Sequence, residues 1–246
     1  MATQIQKVLQ QAIITFRSDP QTFMGNMNQL SALIDQITCE DINLDISFAR
    51  NVPDCDQPDV APMTYIHIYQ DGVLSMGVFV LKANKILPLH NHPDMYGLIK
   101  VLSGKIRVES YSLNTPKTRN IDSKNYHAMS SPDGVSPRNI VPAEFISSEV
   151  CDSFTKPSLL EPHNRNIHEI YTVEGPAAFL HILAPPYNSE VAANPSARRC
   201  SFYTILQKVM PEVFVLQEIE SPAWYWTDYY PYTGPDVMAG LDFNTM

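Results

Sequence analysis

The stretch that most constrains this chain covers residues 87–104 and reads LPLHNHPDMYGLIKVLSG. It contains an H-x-H pair, His90 and His92, followed directly by Pro93. Side chains alternate across a β-strand, so the two imidazoles of such a pair point to the same face. Imidazoles at that spacing can bind one metal ion, and a third from another strand would complete the set. The candidate for the third is His168, in the segment NIHEIYTV.

Composition excludes several classes of protein. The chain has 246 residues, 44% of them hydrophobic, which is enough for a sizeable core in one structural domain. Its net charge is −9 and no basic block stands out, so we expect neither nucleic acid nor a membrane as a partner. No segment is typical of a signal peptide or a membrane span. The four cysteines lack C-x-x-C spacing, which argues against a cysteine zinc module or a disulfide framework. We expect a cytoplasmic monomer.

Residues 1–60 predict a helical segment that ends in a linker. Thr3 and Gln6 have the spacing of a capping box, and apolar residues follow with helical periodicity up to Phe16. A second helix is predicted to begin at Asp19-Pro20, as N-cap and first helical residue. Its apolar stripe comprises Phe23, Met27, Leu30, Leu33, Ile34 and Ile37. We expect both helices to pack outside a barrel, and the Pro- and Asp-rich residues 54–62 to form the linker.

From residue 61 the pattern changes to short strands separated by turns. The predicted strands are residues 64–69, 77–82, 96–102, 105–113, 167–172, 177–183 and 201–206, with others near His127, Ile140 and Phe145. Ser103-Gly104 predicts a tight turn, and residues 188–199 a loop. We assign residues 61–215 to the barrel. The aromatic and Pro-rich residues 216–246 have no helical period, and we expect this tail to pack on the barrel. Many short strands with dense turns indicate a mainly β sandwich or barrel.

The histidine stretch resembles the cupin pattern, in which a Glu follows the H-x-H pair and a Gly closes the hairpin. Here Gly104 is the closing glycine, and Gly97 occupies the place of the Glu. The resemblance implies a cupin fold, a double-stranded β-helix of the jelly-roll kind, with a site of three histidines and no carboxylate. Three neutral histidine ligands leave a bound Fe(II) ion its full double charge, which favours an anionic thiolate as an added ligand. Zinc could also occupy such a site.

Three blocks make the resemblance more specific: PLHNHPDMYGLIKVLSGKIRVESY, IHEIYTVEGPAAFLHILAPPY and RRCSFYTIL. Together they resemble the thiol dioxygenase family of cysteamine dioxygenases and plant cysteine oxidases, over about residues 61–206. The resemblance implies Fe(II) bound by His90, His92 and His168, with O₂ as co-substrate. It implies oxidation of 2-aminoethanethiol to hypotaurine, of a protein's N-terminal cysteine to cysteine sulfinic acid, or of both. The two substrates present the same aminoethanethiol end, so the sequence leaves the choice open, together with a role in oxygen sensing.

Three further residues follow from the same resemblance. Tyr187, in APPY, matches a family tyrosine near the iron pocket, where it could hydrogen-bond oxygen or substrate; it could equally be a packed turn residue. His181 stands where the family usually has Asp, whose carboxylate would orient an iron ligand or the substrate amine. The role of a histidine there is left open. Cys200 matches a cysteine that forms a thioether with a tyrosine two residues on, but Phe202 occupies that partner position. We therefore predict that Cys200 stays a free thiol.

Two other functions remain open at this stage. One is a cupin metalloenzyme of another class, such as a zinc- or manganese-dependent isomerase. The other is a metal-binding cupin that has lost catalysis. The missing Glu argues against many cupins of the first kind, and the complete histidine set argues against the second.

Overall fold

The computed structural model describes residues 2–50, 60–121, 139–187 and 198–239. Helices α1, α2 and α3 cover Gln4–Arg17, Phe23–Asp35 and Ser47–Arg50, and a 3₁₀-helix covers Glu40–Ile42. Strands β1 to β6 cover Met63–Gln70, Ser75–Leu81, Ile86–Asn91, Tyr96–Ser103, Lys105–Leu113 and Ile140–Asp152. Strands β7 to β12 cover Ser158–Leu160, Ile167–Thr172, Ala177–Ala184, Phe202–Met210, Val213–Ile219 and Thr227–Tyr229.

The strands form two sheets that share one core. The first has the order β12-β1-β2-β9-β4-β7, and the second, β10-β11-β6-β5-β8-β3, closes on itself where Phe202 pairs with His90. Met63 and Phe179 of the first sheet pack in one buried cluster with Ile106 and Ile170 of the second. The mainly β cupin prediction, with helices at the N-terminus, is confirmed.

The first helix starts where its sequence predicts. The Thr3 side chain accepts the backbone N–H of Gln6, and the Gln6 side chain accepts that of Thr3, so the capping box is present. The predicted start of the second helix is wrong, because α2 begins at Phe23. The Asp19 carboxylate accepts the N–H of Gln21 at 2.8 Å and closes a turn ahead of the helix instead.

Both helices cover the outer face of the first sheet, as predicted. Leu9 and Leu30 are fully buried in a cluster that also contains Val78 and Leu180 from the sheet. A polar contact fixes α2 at this position. The Lys100 ammonium, 2% exposed, donates to the Asp35 carboxylate and to the Thr155 carbonyl, each at 2.8 Å.

The C-terminal part differs from the predicted boundary at residue 215. Strand β11 continues to Ile219, because residues 217–219 still pair with β10. The aromatic tail also contributes β12, which pairs in parallel with β1. Residues 140 and 145, predicted as separate strands, belong to the single long strand β6. His127, most of the predicted linker and most of the predicted loop at 188–199 lie outside the described residues.

The turn at Ser103-Gly104 is confirmed between β4 and β5. Gly104 has φ +74°, a conformation that L side chains rarely adopt. A Cβ at this position would lie 2.3 Å from the Pro176 carbonyl oxygen, so the turn also has no room for a side chain at residue 104.

Substituting Asp35→Ala tests the contact that fixes α2. The change leaves the buried Lys100 ammonium with one partner fewer, and we expect a loss of about 1–3 kcal/mol in the free energy of unfolding. Glu174→Ala is the control, since the Glu174 side chain is 73% exposed and its ion pair with Lys105 lies at the surface. That variant should change stability by less than about 1 kcal/mol. Equal denaturant midpoints for the two variants would contradict this role of Lys100.

Candidate metal centre

A β-bulge places two of the three histidines opposite each other. Strand β3 pairs with β8, joining Leu87 to Ile170 and His90 to His168, so three steps along β3 match two along β8. The extra residue shifts the register between these two pairs. Directly opposed residues on antiparallel strands have Cβ atoms about 5 Å apart. The imidazoles of His90 and His168 therefore meet inside the barrel, with ring centres 4.7 Å apart.

His92 completes the group from just beyond the end of β3. Its backbone N–H donates to the Asn166 carbonyl at 2.7 Å, which extends the pairing with the neighbouring chain. Its ring centre lies 4.8 Å from that of His90 and 4.7 Å from that of His168. One nitrogen from each of the three histidines lies within 4.8 Å of the other two. The structure thus brings together the histidines that the sequence singled out.

All three imidazoles are kept neutral by burial. Burial lowers the pKa of His90 to about 4, with an opposing contribution from its hydrogen bond to the Pro88 carbonyl. Burial lowers the pKa of His92 and His168 well below the usual range, and the neighbouring histidines lower it further. Neutral imidazole is the form that binds a metal ion, because its unprotonated nitrogen has a free lone pair.

Hydrogen bonds determine which ring nitrogen of His90 and of His92 is left unprotonated and able to bind a metal ion. His90 Nδ1 donates to the Pro88 carbonyl oxygen at 2.7 Å, which leaves its Nε2 unprotonated. The Tyr187 hydroxyl donates to the Asn91 carbonyl and accepts from His92 Nδ1 at 2.7 Å, so His92 also presents Nε2. Two nitrogens bound to one metal ion at about 2.1 Å and about 90° lie about 3 Å apart. The Nε2 atoms of His92 and His168 are 3.1 Å apart, and the site therefore fits a metal ion.

His181 is a fourth buried imidazole beside this group. It lies on β9 and is 6% exposed, with its ring centre 5.5 Å from that of His92. Burial lowers its pKa to about 3. Its Nε2 has no hydrogen-bond partner in the described part of the chain. A Cβ on Gly97 would lie 3.4 Å from this nitrogen, so His181 occupies space that the glycine leaves at the position of the cupin Glu.

A pocket of about 280 Å³ opens from the histidines. Among the described residues that line it there is no Arg, Lys, Asp or Glu. Its inner wall includes residues that sequence reasoning did not assign to a site, namely Phe79, Leu87, Leu183, Pro186, Phe202 and Tyr225. Leu183, Pro186 and Phe202 stand in the quoted blocks without any sign of this role, and the six residues come from four strands and two loops that only the fold brings together. The described wall of the pocket is therefore largely apolar and carries no formal charge.

Cys200 also lines the pocket, and its thiol is hydrogen-bonded to the Tyr187 hydroxyl. Burial raises the pKa of the Cys200 thiol to about 11, so the group is protonated at neutral pH. Tyr203 packs in another cluster, with Leu89 and Tyr111, and its hydroxyl accepts from the Asn91 side chain. The absence of a thioether at Cys200 stays a prediction.

The family model PCO_ADO matches residues 33–237 of the chain. The chain belongs to the PCO_ADO family. It is 31% identical to 2-aminoethanethiol dioxygenase of Mus musculus, over 97% of this chain and 98% of the mouse protein. The protein of the same name from Homo sapiens is 32% identical, over 96% of this chain and 97% of the human one. Plant cysteine oxidase 2 of Arabidopsis thaliana is 28% identical, over 72% of this chain and 56% of the plant protein.

In this PCO_ADO chain, the three neutral and converging histidines form a group that can hold a metal ion. In the segments described for this PCO_ADO chain, no helix combines the length and the apolar character that crossing a membrane requires.

The contact between Tyr187 and His92 predicts an effect on metal affinity. Tyr187→Phe keeps the ring and removes the hydroxyl that fixes the His92 tautomer, so this PCO_ADO chain should bind metal about 10–100-fold more weakly. Tyr203→Phe is the control, because it removes a tyrosine hydroxyl whose hydrogen bond is to the Asn91 side chain and not to a histidine. Titration of the metal-free variants with Co²⁺ measures the affinities. Equal affinity for both variants would show that the Tyr187 hydroxyl does not position His92.

Proposed function

We propose that this chain is a non-haem Fe(II) thiol dioxygenase. It would use O₂ to convert 2-aminoethanethiol to hypotaurine and the N-terminal cysteine of proteins to cysteine sulfinic acid. The observation that carries the proposal is a set of three neutral imidazoles without a carboxylate, open to an uncharged pocket. The names of its relatives, 2-aminoethanethiol dioxygenase and plant cysteine oxidase, support the same reaction class.

His90, His92 and His168 would hold the iron through Nε2 of His90 and His92 and a ring nitrogen of His168. When bound, Fe(II) supplies the redox chemistry that joins a thiol to O₂ and leaves both oxygen atoms on sulfur. In this reaction R–SH and O₂ give R–SO₂H, so no other oxidant or reductant is needed. The chain's residues keep the ligand nitrogens unprotonated, and the apolar wall of the pocket limits the access of water.

The absence of a cation in the described wall of the pocket favours particular thiols. Free cysteine carries an α-carboxylate, and burying it without Arg or Lys as a partner is costly. In 2-aminoethanethiol this group is missing, and in an N-terminal cysteine it is part of a neutral peptide bond. Both should therefore be better substrates than free cysteine.

His181 would contact the amine of the substrate. Its buried Nε2, which lacks a partner in the described part of the chain, lies beside the histidine group and can form one hydrogen bond with an amine nitrogen. A neutral imidazole in place of a carboxylate offers this bond without a negative charge. Tyr187 acts differently, because its hydroxyl is already bonded to His92 and to Asn91.

The setting of the reaction follows from composition and cysteine chemistry. None of the described cysteines Cys39, Cys151 and Cys200 forms a disulfide, as in a reducing compartment. This supports a cytoplasmic enzyme, which we take to act as a monomer. Oxidation of N-terminal cysteines by O₂ in that compartment would couple the modification of proteins to oxygen supply.

The test is anaerobic purification, metal analysis and measurement of O₂ consumption with three thiols. We expect about one iron per chain, and O₂ uptake with 2-aminoethanethiol and with a Cys-initiated peptide that exceeds uptake with free cysteine. A protein that holds zinc and consumes no O₂ with any of the three would overturn the proposal and favour a cupin of another reaction class.

Replacing the third histidine tests the ligand set. His168→Ala should remove most bound iron and nearly all O₂ uptake, because two imidazoles and water bind Fe(II) much more weakly than three imidazoles. The matched control is His67→Ala, which removes an exposed histidine on β1 of the same barrel. Metal content and rate are measured on both variants. Full iron and full rate in His168→Ala would show that the third ligand lies elsewhere.

Replacing His181 separates substrate binding from folding. His181→Leu removes a buried nitrogen that lacks a partner in the described part of the chain. The free energy of unfolding of the variant should therefore equal that of the parent or exceed it by about 1 kcal/mol. Its KM for 2-aminoethanethiol should nevertheless rise several-fold, while its metal content is unchanged. An unchanged KM would refute a contact between His181 and the amine, and loss of metal would assign His181 to the metal site instead.

A further inference from the structure

One row of aromatic rings leads from the histidines to the surface along the first sheet. It begins at His181, whose ring centre is 5.8 Å from that of Phe79. Phe79 is 4.8 Å from Tyr65, which in turn meets Tyr229 edge to face at 6.1 Å. Tyr229 lies on the edge strand β12 and is 79% exposed. Tyr65, Phe79 and Tyr229 all line the pocket that contains the histidines.

A second row leads outward along the other wall. Phe202 is 6.3 Å from His90 and 5.6 Å from Tyr225, and Tyr225 is 6.2 Å from Trp224. Trp224 is 55% exposed, and Trp226 on the same segment is 41% exposed. Large exposed aromatic side chains that cluster beside a pocket are typical of a binding surface, since most such residues are at least partly buried.

The pocket is also larger than a small aminothiol requires. 2-Aminoethanethiol has only a few non-hydrogen atoms, and at about 30 Å³ for each water-sized group it fills on the order of 100 Å³. The pocket has about 280 Å³, and both aromatic rows continue beyond its inner wall. A small substrate at the histidines would leave the outer rings without contact.

We propose that Trp224, Trp226 and Tyr229 form a docking surface for the residues that follow the N-terminal cysteine of a polypeptide substrate. The inference rests on the proposed function and names a protein N-terminus as the substrate that fits this pocket as a whole. An extended chain advances about 3.4 Å per residue, so its second and third residues cover about 7 Å of the path that leads from Phe79 past Tyr65 toward Tyr229.

The chemistry of this surface favours apolar side chains at those two positions. Rigid aromatic rings supply large contact areas with little loss of conformational entropy, and they bind apolar side chains and peptide backbone. The outer edge of β12 adds a place where an extended peptide could pair, because β12 is the last strand of its sheet in the described structure.

The kinetic test compares two substrates on iron-loaded enzyme. Trp224→Ala and Tyr229→Ala should each raise KM about tenfold for a Cys-initiated peptide with apolar second and third residues. Turnover of 2-aminoethanethiol by Trp224→Ala should be unchanged. Phe154→Ala is the control, since Phe154 is 93% exposed and belongs to neither aromatic row. Equal losses for both substrates, or none for the peptide, would overturn the proposal.

Tryptophan fluorescence gives a readout that does not depend on turnover. Trp224 and Trp226 are the only tryptophans of the chain, so the emission reports on the proposed surface alone. Without O₂, the peptide with apolar residues should change the emission at lower concentration than one with glycine at both positions. Equal responses to the two peptides would refute the docking surface.

Two other results show whether a peptide substrate or a second copy of the chain occupies the surface. Emission that changes on dilution of the protein, together with a dimer in sedimentation, would assign the surface to a second copy of the chain and overturn the proposal. A selective fluorescence response to the apolar peptide without O₂ uptake on any thiol would support the docking surface while refuting the proposed function. The two failures can therefore be told apart.

Discussion

The structure depends on one constraint, which is that three imidazoles must lie close together in the interior of a barrel and remain uncharged. Burial is the largest cause that lowers their pKa, and the neighbouring histidines lower the pKa of His92 and His168 further. Hydrogen bonds to the Pro88 carbonyl and the Tyr187 hydroxyl then assign the proton to Nδ1 of His90 and His92. Pro88 lies on the same strand as His90, whereas Tyr187 follows β9, so the two tautomers are fixed from different parts of the chain.

The surroundings of the histidines determine what they can do. A cupin carboxylate would have come from the position of Gly97, and instead the imidazole of His181 fills that space. The site therefore has no negative charge of its own, and no charged side chain lines the described part of the pocket. An anionic thiolate is then the group that best complements a bound dication. The same apolar wall continues outward as two aromatic rows, which extends the recognition of a thiol to the chain attached to it.

The sequence was sufficient for the H-x-H pair, because alternation along a strand is a local rule. It could not locate His168 opposite His90 by periodicity, since their pairing depends on a bulge between Leu87 and His90. The resemblance to a known family supplied that residue instead. The role of the C-terminal tail, in contrast, could not be predicted from any local pattern. Its aromatic residues have no period, and only pairing with β1 and contact with Phe202 bring Thr227 and Tyr225 to the pocket. The start of α2 was missed because Asp19 caps a turn as readily as it caps a helix.

A thiol dioxygenase adds both atoms of O₂ to the sulfur of its substrate. The most direct measurement is mass spectrometry of the product formed from 2-aminoethanethiol by the iron-loaded protein under ¹⁸O₂. We expect hypotaurine in which both oxygen atoms carry the heavy label. A product with one labelled oxygen, or the disulfide of 2-aminoethanethiol alone, would show that the site is not a thiol dioxygenase.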